Sequence, residues 1–153
     1  MSLQTDTIFI QALQGSQQIA ALVDDRIYST AIPMPEEDAE NVDVPYIIVT
    51  FDGMQNEQDT KDELYEGSED RVQIGIEVVA ETRPRLAKLS QTVRDTIKAA
   101  FVANIEAMEE GSVEADLRLT PIDYQLTASA IQYDADKPCY WQTLNYACET
   151  NAN

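Results

Sequence analysis

Eight carboxylates crowd one short stretch of the chain. Asp52, Glu57, Asp59, Asp62, Glu63, Glu66, Glu69 and Asp70 stand there against Lys61 as the sole base. Oxygen donors at that density suit a calcium ion when alternate positions converge around a glycine bend. The run Glu57-Gln58-Asp59-Thr60-Lys61-Asp62-Glu63 lacks that glycine and puts Lys61 among the candidate ligands. A catalytic pair of carboxylates needs a defined separation, and no spacing here selects one pair over another. Two readings remain for 52–70: a long loop kept soluble by its charge, or a loop that orders against a partner through Glu57, Asp59, Asp62, Glu63 and Glu66. Loops longer than about 12–15 residues are uncommon in compact domains and are usually functional or disordered.

The opposite charge gathers elsewhere. Arg83, Arg85, Lys88, Arg94 and Lys98 are five of the ten bases in the sequence. They form either a solvated helix face or a basic face that meets the acidic loop of another copy, which would favour self-association. Asp95 dilutes that patch. Trp141 falls on the strand face shared with Cys139, Thr143 and Ala147. It is expected at the surface as a contact residue, unless a bulge turns it inward. The candidate interface is therefore Glu57, Asp59, Asp62, Glu63, Glu66, Arg83, Arg85, Arg94, Lys98 and Trp141.

Other chemistry is scarce. The sequence has no histidine, which removes Ser-His-Asp, Cys-His and His-ligated metal sites together. It has no CxxC and no Gly-rich phosphate loop. Cys139 and Cys148 are nine apart in one apparent strand, so they project from opposite faces and read as reduced packing thiols. No catalytic, metal or cofactor residue is expected, and the chain is not read as an enzyme. The formal charge of −18 repels phosphates, which argues against nucleic-acid binding and against electrostatic attachment to an anionic membrane. No apolar run reaches the roughly 18–20 residues of a membrane helix. Nothing at the start resembles a secretory signal, so synthesis and retention in the cytosol are expected.

The elements that must position these residues are legible in outline. The 153 residues predict one domain, 1–153, and 44% hydrophobic content is ordinary for a globular fold. Thr5 to Val23 reads as helical with a break at Gly15-Ser16 and a stripe of Ile8, Ala12, Ile19 and Leu22. Arg26–Ser29 is a short extended piece, and 36–43 is an acidic loop. Pro45–Phe51 is a β-branched strand that Asp52-Gly53 should end. Arg71–Glu81 alternates cleanly, with Val72, Ile74, Ile76 and Val78 on one face, as a half-exposed antiparallel strand does. Thr82 caps a helix of about five turns whose stripe is Leu86, Leu89, Val93, Ile97 and Phe101. Asn104 to Asp116 reads as a connector. Pro121–Tyr133 and Pro138–Cys148 predict a hairpin turning at Asp134–Lys137. The fold class is α+β: a mostly antiparallel sheet against one long amphipathic helix, with N-terminal helices and a C-terminal hairpin.

The ordered set Val23-Asp24-Asp25-Arg26-Ile27-Tyr28, Ala31-Ile32-Pro33, Val44-Pro45-Tyr46-Ile47-Ile48-Val49, the strand 71–78 and Arg83-Pro84-Arg85-Leu86-Ala87-Lys88-Leu89 carries a resemblance. From Ile19 to Phe101 the sequence resembles the small tail-completion proteins of long-tailed bacteriophages, also called tail terminator or tail-to-head joining proteins. The resemblance implies an α+β subunit that assembles as a ring, typically a hexamer, in the virion tail. Such a ring caps the tail tube, meets the head connector, and needs no enzyme activity or cofactor. The loops 36–43 and 52–70 are longer than a compact version of that pattern requires. Two alternatives come from other classes: an acidic module that recognises a basic partner protein, and a metal-dependent hydrolase built on clustered carboxylates.

Overall fold

The computed structural model describes residues 5–30, 43–57, 69–109 and 119–151. The described elements are α1 (Thr5–Gln14), α2 (Gln17–Val23), β1 (Ile27–Ser29), β2 (Tyr46–Glu57), β3 (Glu69–Ala80), α3 (Arg83–Glu109), β4 (Leu119–Ala128), β5 (Gln132–Asp134) and β6 (Cys139–Asn151). The strands form one mixed sheet in the order β1-β2-β3-β6-β4, with β5 also paired to β6. Only β1 and β2 run parallel; the other pairings are antiparallel. The expected α+β class holds.

Period-two alternation in β3 sets the layering. Val72, Ile74, Ile76 and Val78 are fully buried and join one cluster with Leu86, Leu89, Val93, Ile97 and Phe101 of α3 and with Phe9, Leu13, Ile19 and Val23 of the N-terminal helices. Each β3 side chain buried this way contributes roughly 1.5–3 kcal/mol before entropy is subtracted. Phe9 ties three elements together. Its ring lies 5.9 Å from Phe101 on α3 and 5.5 Å from Tyr146 on β6. Ser90, buried on α3, donates to Gln142 Oε1 at 3.0 Å, and Gln142 Nε2 donates to the Ser129 carbonyl at 2.9 Å.

The helix punctuation follows local chemistry. Ser16 caps α2 by accepting from the Ile19 N–H at 3.3 Å, and Thr82 Oγ1 accepts from the Arg85 N–H at 3.3 Å to cap α3. The predicted N-terminal stripe is displaced by one residue. In α1 the buried positions are Thr5, Phe9 and Leu13, while Ile8 and Ala12 are only partly covered. The break at Gly15-Ser16 resets the helical phase, so a stripe counted through it fails. α3 runs 27 residues, beyond the expected five turns, and takes in the first part of the supposed connector.

Two strand boundaries also differ. β2 continues past Asp52-Gly53 to Glu57, with a register shift between Phe51 and Gly53. Gly53 absorbs the irregularity at φ 147°, a conformation L side chains rarely adopt. The predicted strand 121–133 is two strands, β4 and β5, separated at Ser129. There the Ser129 N–H donates to the Thr143 carbonyl at 2.9 Å while its hydroxyl accepts from the Thr143 N–H at 3.0 Å. The turn at 134–137 lies where expected, with Asp134 paired to Cys139.

Candidate functional site

The β2–β3 pairing shortens the acidic loop from both sides. Asp52 and Glu57 belong to β2, Glu69 and Asp70 belong to β3, and Glu57 is the register partner of Glu69. Asp70 is buried. Asp59, Asp62, Glu63 and Glu66 lie outside the described residues. Among the described residues no cluster of three or more His, Cys, Asp or Glu side chains is placed to hold a metal ion.

The bases of α3 do not form one patch. All five are exposed, but 100° per residue distributes them around the helix. Arg85 and Lys88 face the flank beside α2, where they line a groove with Ala21, Leu22, Pro45 and Leu89. Arg94, six residues beyond Lys88, lies about a third of a turn away, and Lys98 falls beside it on the far flank. Arg83 shares that far side. The expected interface set is thus split, and Lys88, Leu22 and Pro45 enter a surface that spacing along α3 alone does not reveal. Arg85 pairs with Glu81 one turn back, the one ion pair among the described residues. Arg26 Nε donates to the Pro45 carbonyl at 2.9 Å, which fixes the start of β2 against the loop after α2. The groove has a volume of about 310 Å³, an apolar floor and a basic rim.

A second surface is the sheet face turned away from the core. Register places Tyr28, Ile48, Glu77 and Thr143 in one cross-strand row, and Tyr46, Val79, Trp141 and Gln132 in the next. Trp141 stays on this face, half-buried, and the alternative of a bulge that turns it inward does not occur. Burial raises the Glu77 carboxyl above its ordinary value. Burial, then the charge of Glu77, pushes the Tyr46 hydroxyl up to about 12. Cys139 lies on this face and Cys148 on the core face, both buried and free. Burial raises both thiols, Cys148 to about 12. A thiol that holds its proton so firmly is a poor nucleophile. Further along β3, Gly75 forms a notch: a Cβ there would meet Asp52 Oδ2 at 2.5 Å and Thr50 Oγ1 at 2.8 Å.

No protein-family model and no curated protein matches the chain in sequence. The fold is shared with a chain of the virion of a native gene transfer agent particle. The two are 17% identical, the match covers 96% of this chain and 94% of that one, and the TM-score is 0.55. No described helix is long and apolar enough to cross a membrane.

Proposed function

We propose that the chain is a structural subunit of a phage-like particle and, more specifically, a tail-completion protein. In that role it closes the head-proximal end of the tail tube as a ring, typically of six copies, and offers the surface that docks to the head connector. The carrying observation is end-to-end likeness to a chain from a gene transfer agent virion, with nearly the whole of both chains matched. The ordered sequence elements between Ile19 and Phe101 point the same way. A wall carrying −18 per copy repels phosphates, so DNA would pass such a ring without adhering to it. Bond-making plays no part in this role.

Like charge also sets how a ring must behave. Six copies would carry six times −18, and that repulsion acts over a screening length of about 30 Å at 0.01 M salt but about 8 Å at 0.15 M. Assembly is therefore expected to strengthen from low to physiological ionic strength. The test combines sedimentation at those two salts with incubation on purified phage tail tubes. The expected result is a ring on tube ends and a larger species at the higher salt. A chain that never associates with tube ends contradicts the tail-completion role, and a monomer favoured at higher salt contradicts the charge argument.

A further inference from the structure

We infer that the groove between α2, the start of β2 and the start of α3 receives the acidic segment 58–68 of a second copy, joining subunits head to tail. The inference rests on the ring reading above and specifies the contact that builds it.

Three observations converge on this occupant. The first is chemical fit. The groove presents an apolar floor of Ala21, Leu22, Pro45 and Leu89 beneath the cationic rim of Arg85 and Lys88. The segment reads Asp62-Glu63-Leu64-Tyr65-Glu66, an apolar pair bracketed by carboxylates. Leucine and tyrosine suit the floor, and the flanking carboxylates suit the rim. Lys88 has no acid partner among the described residues.

The second observation is scarcity. Acids outnumber bases 28 to 10, so most ways of bringing two copies together oppose like charges. A groove whose rim carries Lys88, without an acid partner among the described residues, beside Arg85, which is shared with Glu81, is a place where a carboxylate-rich segment is attracted.

The third observation is reach. Groove and segment lie at opposite ends of the same two strands: Pro45 precedes β2, Arg83 follows β3 closely, and 58–68 joins the far ends. From Pro45 to Glu57 the strand spans about 36–40 Å at its usual rise. The eleven residues 58–68 are tied at both ends to the paired Glu57 and Glu69, which limits how far from that end of the strands any of them can lie. Half their extended length is about 20 Å, short of the groove of their own chain. The contact must therefore be made with another copy. Joining one end of a subunit to the opposite end of the next is a heterologous contact, and such contacts close into rings where the rotation permits.

The test uses two full-length variants, each damaged on one side only. Arg85→Ala/Lys88→Ala disables the groove, and Leu64→Ser/Tyr65→Ser disables the segment. Lys137→Ala, which removes a base from the β5–β6 turn, is the charge control. Association is followed by sedimentation at about 0.15 M salt, with circular dichroism confirming that each variant is folded. Each damaged variant should self-associate roughly tenfold or more weakly than the parent chain, while the control matches it. Mixed together, the two damaged variants should form a one-to-one pair and stop there, because each mixture retains one intact groove facing one intact segment. Unchanged association in either damaged variant overturns the inference, and so does a mixture that stays monomeric. A parent chain that remains monomeric up to about 1 mM also overturns it. If that monomer still caps tail tubes, the tail-completion reading stands without this contact; if the pair forms but tubes stay uncapped, the contact stands without that reading.

Discussion

Val72, Ile74, Ile76 and Val78 alternate along β3 with Gln73, Gly75, Glu77 and Val79, so the two sets share a backbone and the same neighbouring strands. The first set is fully buried beneath three helices. The second lies on the opposite face and mixes an exposed amide, a glycine notch, a half-buried carboxyl and one covered valine. The core-side face is governed by volume, and hydrophobic periodicity suffices to define it. The outer face is governed by particular pairs of side chains, in which a single atom decides whether a substitution fits. That difference predicts a graded set of responses.

The largest response belongs to the core side. Ile76→Ala removes a fully buried side chain from the centre of the sheet and should cost about 2–5 kcal/mol. Gln73→Ala, three residues before it and exposed, should change stability by about 0.5 kcal/mol or less. Urea midpoints at constant slope measure both. Similar losses at the two positions would remove the distinction between the faces.

Alkaline titration probes the same core from within. Burial raises the Cys148 thiol to about 12 from an ordinary 9.0. The folded state then keeps a proton that the unfolded chain has released, so stability is present in full below about pH 9 and is lost as pH rises toward 12. The loss should reach a few kcal/mol at most. Tyr46, raised to about 12 from 10.0, adds to the decline above pH 10. Thermal melts at pH 8 and pH 11 measure the fall, and Cys148→Ala should flatten its first part. An unchanged slope in that variant would show that the thiol is not the group responsible.

On the outer face, Gly75→Ala places a methyl group so close to Asp52 Oδ2 and Thr50 Oγ1 that these side-chain ends must turn aside. The expected cost is about 1 kcal/mol, because side-chain ends and not backbone give way. Asp52 is exposed and can be removed with little effect of its own, so Asp52→Ala/Gly75→Ala should recover a good part of the loss. A double variant no better than the single one would mean that the clash lies with Thr50 alone.

These contrasts also explain what was legible in advance. The stripe on α3 and the alternation of β3 were readable because volume burial repeats with the period of the element. The helix break at Gly15-Ser16 was readable from cap chemistry, but the phase of the α1 stripe was not, because the break rotates one helix against the other. β2 was expected to stop at Asp52-Gly53, since those residues usually turn; pairing along the whole of β3 carries the strand through them as an irregularity. The groove was invisible for a different reason. Leu22, Pro45 and Lys88 come from three elements, and nothing in their spacing joins them. Five bases on one helix suggested one patch, and helical geometry divided them between two flanks.

Glu77 gives the smallest and most discriminating response. Its register neighbours are Ile48 and Thr143, and no base forms an ion pair with it among the described residues. Burial makes its proton harder to remove in the folded protein than in the unfolded chain. The carboxyl therefore contributes stability in full below its ordinary value of 4.5, and that contribution is lost as pH climbs through the raised folded value. At neutral pH the ionised side chain opposes folding slightly. Glu77→Gln should then be the more stable form at pH 7 by about 0.5 kcal/mol, a small figure because solvent screens a half-buried charge. The gap should narrow as pH falls toward 4.5, because the folded parent chain takes up its proton before the unfolded one does. Chemical denaturation of both forms at pH 7 and pH 4.5 resolves it, because their difference cancels the general relief of charge repulsion that acidification brings to so acidic a protein. A glutamine variant less stable at pH 7 would show that the ionised carboxylate has a favourable partner on the outer face, and that face would then be held by charge as well as by fit.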